Sequence, residues 1–242
     1  MDYNTVFSNR DDLKQYGSNA LLLFALELRF GIEDIHTVAI DSLTDGSDDK
    51  KCDLIYVDPD ESLAVIAQGY YSLNSEKKEA PSSKASDLNT AVAWLLNREI
   101  KDLPDRIRPA AIQLRNALQS GQIQTIQFWY VHNLSESDNV HNELKTVQNN
   151  AYSSLKHLLG NIRFIPDVAV LEVGKGQLDD WYKALTIPIL VVDKFEISVP
   201  GGYSLQGSDW LSFVTSVSIT WLRELFTKYK DDLFSANIRG YW

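Results

Sequence analysis

Two strand-length apolar runs, residues 52–57 (CDLIYV) and 62–71 (SLAVIAQGYY), are separated only by Asp58, Pro59, Asp60 and Glu61. Turn-forming residues between two such runs fold them back on each other as an antiparallel hairpin, and the other elements must be arranged around it. Asp53 stands at the start of the first strand, and Gln68, Gly69 and Tyr70 at the end of the second. Folding brings those two ends together. Residues two apart share a face of a strand, so Gln68 and Tyr70 can point with Asp53 into one site.

Ahead of the hairpin, Asp11 and Asp12 open a segment in which Leu13, Tyr16, Ala20, Leu23, Phe24 and Leu28 recur at helical spacing, and Gly31 supplies the stop. Residues 36–41 read as a short strand and 44–50 as a polar loop, which makes the hairpin part of a three-strand meander. Residues 74–86, rich in Ser, Lys, Glu and Pro, read as a solvated loop. Ser86 or Asp87 then caps a helix through Ala91, Trp94 and Leu95 to about Asn97. A helix over 105–120, stopped by Gly121, and a buried strand over 123–131 complete a core of helix, meander, helix and strand. The pattern then repeats as helix 138–159, strand 162–173, a short helix around 178–185 and strand 187–192. A long final helix starts near Ser208 and carries Trp210, Phe213, Val214, Val217, Trp221, Leu225 and Phe226. The fold class is therefore α/β, with residues 1–135 as the core and 136–242 as an α/β extension packed on the same sheet.

A chain of 242 residues with 44% hydrophobic content can bury a sizeable core, as one large domain or two small ones. The single cysteine, Cys52, excludes an internal disulfide framework and a multi-cysteine zinc site and fits a reducing compartment, with the cytoplasm as the default. The N-terminal MDYNTVFSNRDD has no basic region followed by an apolar run, and nowhere do about 18 apolar residues follow one another as a membrane span needs. No membrane partner is expected. A formal charge of −10 opposes binding to polyphosphate, because nucleic-acid affinity comes largely from Lys and Arg releasing counterions. Any grip on DNA must be local or lie in further sequence.

A carboxylate, a second ligand and a lysine gathered at one end of such a hairpin is the arrangement of PD-(D/E)xK nucleases. There Mg²⁺ is held by carboxylate oxygens, and a lysine stabilises the nucleophile or the developing phosphorane charge. The matching residues are Glu27 in the first helix, the loop 45–50, Asp53 in CDLIYVD and Gln68 in AVIAQGYY. The strand and loop WYVHNLSES (129–137), the acidic HNEL that follows, and above all LFSANIRGY (233–241) add to them. In these features, spread over nearly the whole chain, the sequence resembles the N-terminal, restriction-endonuclease-like region of the abortive infection phage resistance (AIPR) family.

The resemblance implies a nuclease-like domain of a phage-defence protein, with DNA as partner and Mg²⁺ as cofactor, bound by Asp53 and Glu27 while Gln68 completes the shell. One departure stands out: the family's Gln-x-Lys has Tyr70 at the lysine position, and a phenol carries no positive charge at neutral pH. Lys51, two residues before Asp53, and Lys78 and Lys84, in the following loop and helix start, are the substitutes. The rival is a catalytically inactive nuclease fold kept as a scaffold for nucleic-acid or protein binding. AIPR proteins continue well beyond the position of Trp242, so a fragment is expected, with the C-terminal remainder and a second copy of the chain as partners.

Each of these residues also has a plainer role. Glu27 lies in the apolar LFALELRF, where a glutamate is either paired or functional. Gln68 and Tyr70 are also explained as inward polar residues satisfied by neighbours. His36, His132, His141 and His157 show no metal spacing and read as structural. Gly174, Lys175 and Gly176 lack the rest of a phosphate loop and read as a turn after the strand ending at Val173. Cys52 has no activating base beside it and reads as packing. Arg98, Lys101, Arg106, Arg108 and Arg115, interrupted by Glu99, Asp102 and Asp105, have the pattern of a solvated helix face. Lys77, Lys84, Arg98, Arg106 and Arg108 are the residues from which a phosphate contact would be drawn.

Overall fold

The computed structural model describes residues 2–44, 46, 48–74, 76–160, 164–186, 194–207, 210–230 and 233. It divides into two compact units, Met1–Tyr182 and Lys183–Trp242.

In the first unit, α1 (Tyr3–Ser8) starts where the Asp2 carboxylate accepts the Thr5 amide. A 3-10 segment, Asp11–Asn19, leads into α2 (Ala20–Phe30). The single helix expected from residue 11 is broken because Gly17 adopts φ 55° and ψ −120°, outside helical geometry. At the other end Gly31 is left-handed, φ 63°, and its N–H returns to the Glu27 carbonyl as the sequence predicts. Residues 36–41 are a helix, not a strand. The Asp34 carboxylate accepts the His36 and Thr37 amides and starts α3 (Ile35–Ser42), whose Ile35, Val38 and Ala39 fall on the core side at helical spacing. Local capping outweighs the β-branched content here. An isolated bridge, Leu43 to Leu54, forms just beyond these residues.

The hairpin forms from β1 (Leu54–Asp58) and β2 (Leu63–Tyr70), with Leu54 opposite Ala67 and Asp58 opposite Leu63. The chain then passes through α4 (Ser82–Ser86), α5 (Leu88–Val92) with a π-helical turn at Ala93–Asn97, a 3-10 turn at Ile100–Asp102, and α6 (Arg108–Gln119). Next come β3 (Thr125–His132), parallel to β2, then α7 (Asp138–Leu159), and β4 (Asp167–Val173), parallel to β3. The result is one mixed four-stranded sheet, order β1-β2-β3-β4.

Alternation along the strands separates two cores. Val65, Ala67, Trp129 and Val131 pack with α2 and α3, while Ala64, Ile66, Phe128 and Tyr130 pack with the helices from α4 to α7. Central strands buried on both faces explain the nearly continuous apolar runs in the sequence. Arg115, expected in a basic face, is buried on α6. Its guanidinium donates to the carbonyls of Leu95 and Arg98, each at 2.6 Å, and so satisfies groups left open at the end of the π turn.

After β4 the chain enters α8 (Lys175–Thr186). The second unit holds a separate two-stranded sheet, β5 (Gly202–Gln206) with β6 (Leu211–Thr215), and α9 (Ile219–Tyr229). Phe213 and Val214 thus lie in a strand, and the helix expected from residue 208 begins only at Ile219, where Ser218 caps it. Among the described residues of the expected extension, β4 is the strand that joins the four-stranded sheet. The strand expected over 187–192 and residues 234–241 of the C-terminal motif lie outside the described residues. Among the described residues no helix is long and apolar enough to cross a membrane.

Candidate functional site

The carboxyl ends of β2, β3 and β4 lie side by side, with Gln68 beside Tyr130 beside Glu172 and Tyr70 beside His132. This is the edge at which open α/β sheets bind ligands. Period-two alternation puts Gln68 and Tyr70 on the face that packs toward α4–α7.

Asp53 immediately precedes β1. Its amide donates to the Ala67 carbonyl, its carbonyl accepts from Thr44, and its carboxylate accepts the Gly69 N–H at 2.7 Å. A Cβ on Gly69 would sit 3.6 Å from Leu22 and 3.7 Å from that carboxylate oxygen. The Asp53 carboxylate therefore lies against Gly69 and Leu22, on the α2 side, whereas Gln68 and Tyr70 belong to the opposite face. Gln68 is 4% exposed, and among the described residues its Oε1 has no hydrogen-bond partner. A buried carbonyl left unpaired is destabilising by about 1–3 kcal/mol.

Tyr70 stands where the family pattern has lysine, and an ammonium reaches it from elsewhere. Lys77 Nζ donates to the Tyr70 hydroxyl at 2.8 Å and lies 4.8 Å from the ring centroid. That bond holds the phenol below its ordinary pKa. Sequence spacing gave no signal for this pairing, since Lys77 sits in an irregular loop.

Glu27 is held by Arg10, whose guanidinium also grips Asp12 through Nε at 2.8 Å and Nη2 at 2.7 Å. The same cation pushes the Asp12 carboxyl down to about 2. Glu27 is five residues beyond Leu22, so it lies about 7.5 Å further along the axis of α2 and roughly 140° round it. An Mg²⁺ ion needs several oxygens converging on one point. With Glu27 engaged by Arg10 and Asp53 by the Gly69 amide, this pair does not fit the implied metal. Among the described residues no three His, Cys, Asp or Glu side chains gather as a metal site would require.

The substitute lysines gather around a carboxylate that the sequence presented only as a helix cap. Lys51 Nζ and Lys84 Nζ each lie 3.9 Å from the same oxygen of Asp87, while Lys78 is exposed. Asp87 stands on the same side of the sheet as Tyr130, whose phenol is raised by burial and by the charges of Tyr70, Glu172 and Asp87. The basic residues assigned to nucleic acid fall into two groups. Arg98 lies over Trp94 at 5.3 Å, as does Lys50 at 4.3 Å, and Lys84 is at Asp87. Arg106 is exposed, and Arg108 is tied to Asp105 at 2.6 Å and to the Leu103 carbonyl at 2.5 Å.

His132 is fully buried. Its Nδ1 accepts the Leu134 amide at 3.3 Å, so the proton belongs on Nε2, 3.1 Å from Glu172. Glu172 also accepts the Ser137 amide that opens α7. A Cβ on Gly174 would stand 2.8 Å from His132 and Glu136, and one on Gly176 2.9 Å from Glu136, which explains both glycines of the Gly-Lys-Gly segment. The Glu136 carboxylate caps α8 by accepting the Gly176 and Gln177 amides. An open cleft of about 920 Å³ beside these caps is lined by Glu79, Glu136, Asp138, His141, Glu172 and Gln177. Two of its carboxylates are occupied by helix-start amides. No family model, curated protein or solved structure matches the chain.

Proposed function

We propose that the first unit is a nuclease-like domain of the phage-defence kind that binds nucleic acid without hydrolysing it. The observation that carries this reading is the ion pair between Glu27 and Arg10. It removes the second carboxylate from any shared site with Asp53, while Lys51, Lys84 and Lys77 collect beside the end of the hairpin. The α/β sheet with its Asp53–Gln68 hairpin and the resemblance to the AIPR region support a nucleic acid as the ligand. Phosphate contacts do not need a metal, because Lys and Arg supply the affinity through counterion release.

The test follows plasmid and single-stranded DNA over time with Mg²⁺ or Mn²⁺, for the parent chain and for Asp53→Asn, alongside binding of labelled DNA in EDTA. Both proteins are expected to bind in EDTA and to leave the DNA intact. Metal-dependent cleavage by the parent that is lost in Asp53→Asn would restore the hydrolytic reading, since this substitution removes the charge a hard cation requires. Absence of binding would leave a protein scaffold as the account.

A further inference from the structure

The turn that precedes β1 is built from the wrong residues for a turn. Cys52 donates its amide to the Asp49 carbonyl at 3.2 Å, closing a four-residue turn whose central residues, Lys50 and Lys51, have φ of 56° and 66°. Positive φ at both central positions is the geometry that Asn-Gly fills readily and that side chains with a Cβ resist. Two consecutive lysines in it are a strained choice, and strained backbone concentrates at binding sites. The conformation has a visible consequence. In an extended strand successive side chains point to opposite faces, but here both ammonium groups reach the α4–α5 side, Lys50 over Trp94 and Lys51 beside Asp87.

Two cation pairs result. Lys51 and Lys84 share one oxygen of Asp87 at 3.9 Å each, and Lys50 and Arg98 share the Trp94 ring. Asp87 and Trp94 are seven residues apart along α5 and its π-helical turn, about 10 Å. The acids facing this set are Asp87, Asp48 at Lys50, and Asp49, whose carboxylate accepts the Lys51 amide. Contacts of 3.9 Å to a partly exposed carboxylate are loose and exchange readily for a stronger anion.

Resting on the nucleic-acid reading above, we infer that Lys84, Lys51, Lys50 and Arg98 form a track along α4, α5 and the π turn that holds successive phosphates of a nucleic-acid backbone. The ligand class is a phosphodiester chain, read without base contacts. Arg106 and Arg108 are not part of it.

The decisive variant is Lys50→Asn with Lys51→Gly, which gives the turn the residues its backbone favours while removing two charges. Binding of a labelled single strand, of its duplex and of RNA of the same sequence is measured across a salt series, and thermal melting is measured in parallel. The expected result is a melting temperature equal to or above the parent's. Affinity should fall on the order of tenfold at 0.1 M salt, and the slope of log K against log salt should become shallower by about 1.5. Lys84→Gln, on a helix surface, gives a second reading with about half that change in slope. If the parent binds but both variants keep its affinity and slope, the track is overturned and the binding function stands. If the parent binds none of the three probes at low salt, both are overturned. The relative affinities of the probes identify whether DNA or RNA supplies the chain.

Discussion

The two sides of the β1–β2 hairpin use charge in opposite ways. On the α2 side the acids expected to bind a metal are absorbed into the fold: Glu27 by Arg10, and Asp53 by the Gly69 amide. On the α4–α5 side Lys50, Lys51, Lys84 and Arg98 rest against the Trp94 ring and the carboxylates of Asp48 and Asp87, and Lys77 against a phenol. The first side is held together by its own charges, and the second is the one proposed to present charges to a ligand. Under the proposed function, one face of the hairpin keeps its acids within the fold while the other offers its cations to phosphate.

The largest effect that would sharpen the contrast is on packing. Trp129 is fully buried on the α2 side and stacks on Phe30 at 5.7 Å with an interplanar angle of 10°. Trp129→Ala is expected to destabilise the first unit by about 3–5 kcal/mol in denaturant unfolding. A loss below about 1 kcal/mol would mean this face is not the tightly packed one. A smaller effect is expected for Glu27→Gln. Its pair with Arg10 is about a quarter exposed, so the substitution should cost only about 1 kcal/mol and leave nucleic-acid affinity unchanged. A drop in affinity without a drop in stability would return Glu27 to the ligand site.

Gln68→Met removes a buried carbonyl that has no partner among the described residues, at nearly constant volume, so it should be neutral or stabilising by up to about 1 kcal/mol. Clear destabilisation would mean that the amide has a partner, such as an ordered water. The smallest effect is a pH dependence. Lys77 lowers the Tyr70 pKa below its ordinary 10.0. The stabilisation from that pair is therefore fully present only above the unfolded value and is lost as pH falls through the folded one. Lys77→Gln should melt with the parent at neutral pH, and the two should separate only in alkaline solution. Separation at neutral pH would show that the ammonium acts through something other than the phenolate.

The hairpin was legible because its turn chemistry and two apolar runs agree. The stop at Gly31 and helix α7 were legible for the same kind of local reason. Residues 36–41 were not, because Val38 and Ile40 carry β-propensity while the capping that decides for helix rests on one residue, Asp34. The final helix was overextended for the related reason that Phe213, Val214 and Val217 fit a helical stripe and a strand equally well. At the candidate site, the adjacency of the strand ends carrying Asp53 and Gln68 followed from strand pairing, but the opposite faces taken by the two side chains did not. Pairings across the sequence, such as Arg10 with Glu27 and Lys51 with Asp87, leave no periodic trace. Nor does the positive φ at Lys50 and Lys51, where residue preference argues against the conformation found.

The most direct test is a salt titration of parent binding to a labelled single strand, once in EDTA and once in Mg²⁺ at matched ionic strength, with the DNA recovered and sized afterwards. Four phosphate contacts predict a slope of about −3 in log K against log salt, binding in EDTA, and full-length DNA in both samples. Binding that requires the metal and yields shortened DNA would contradict the account.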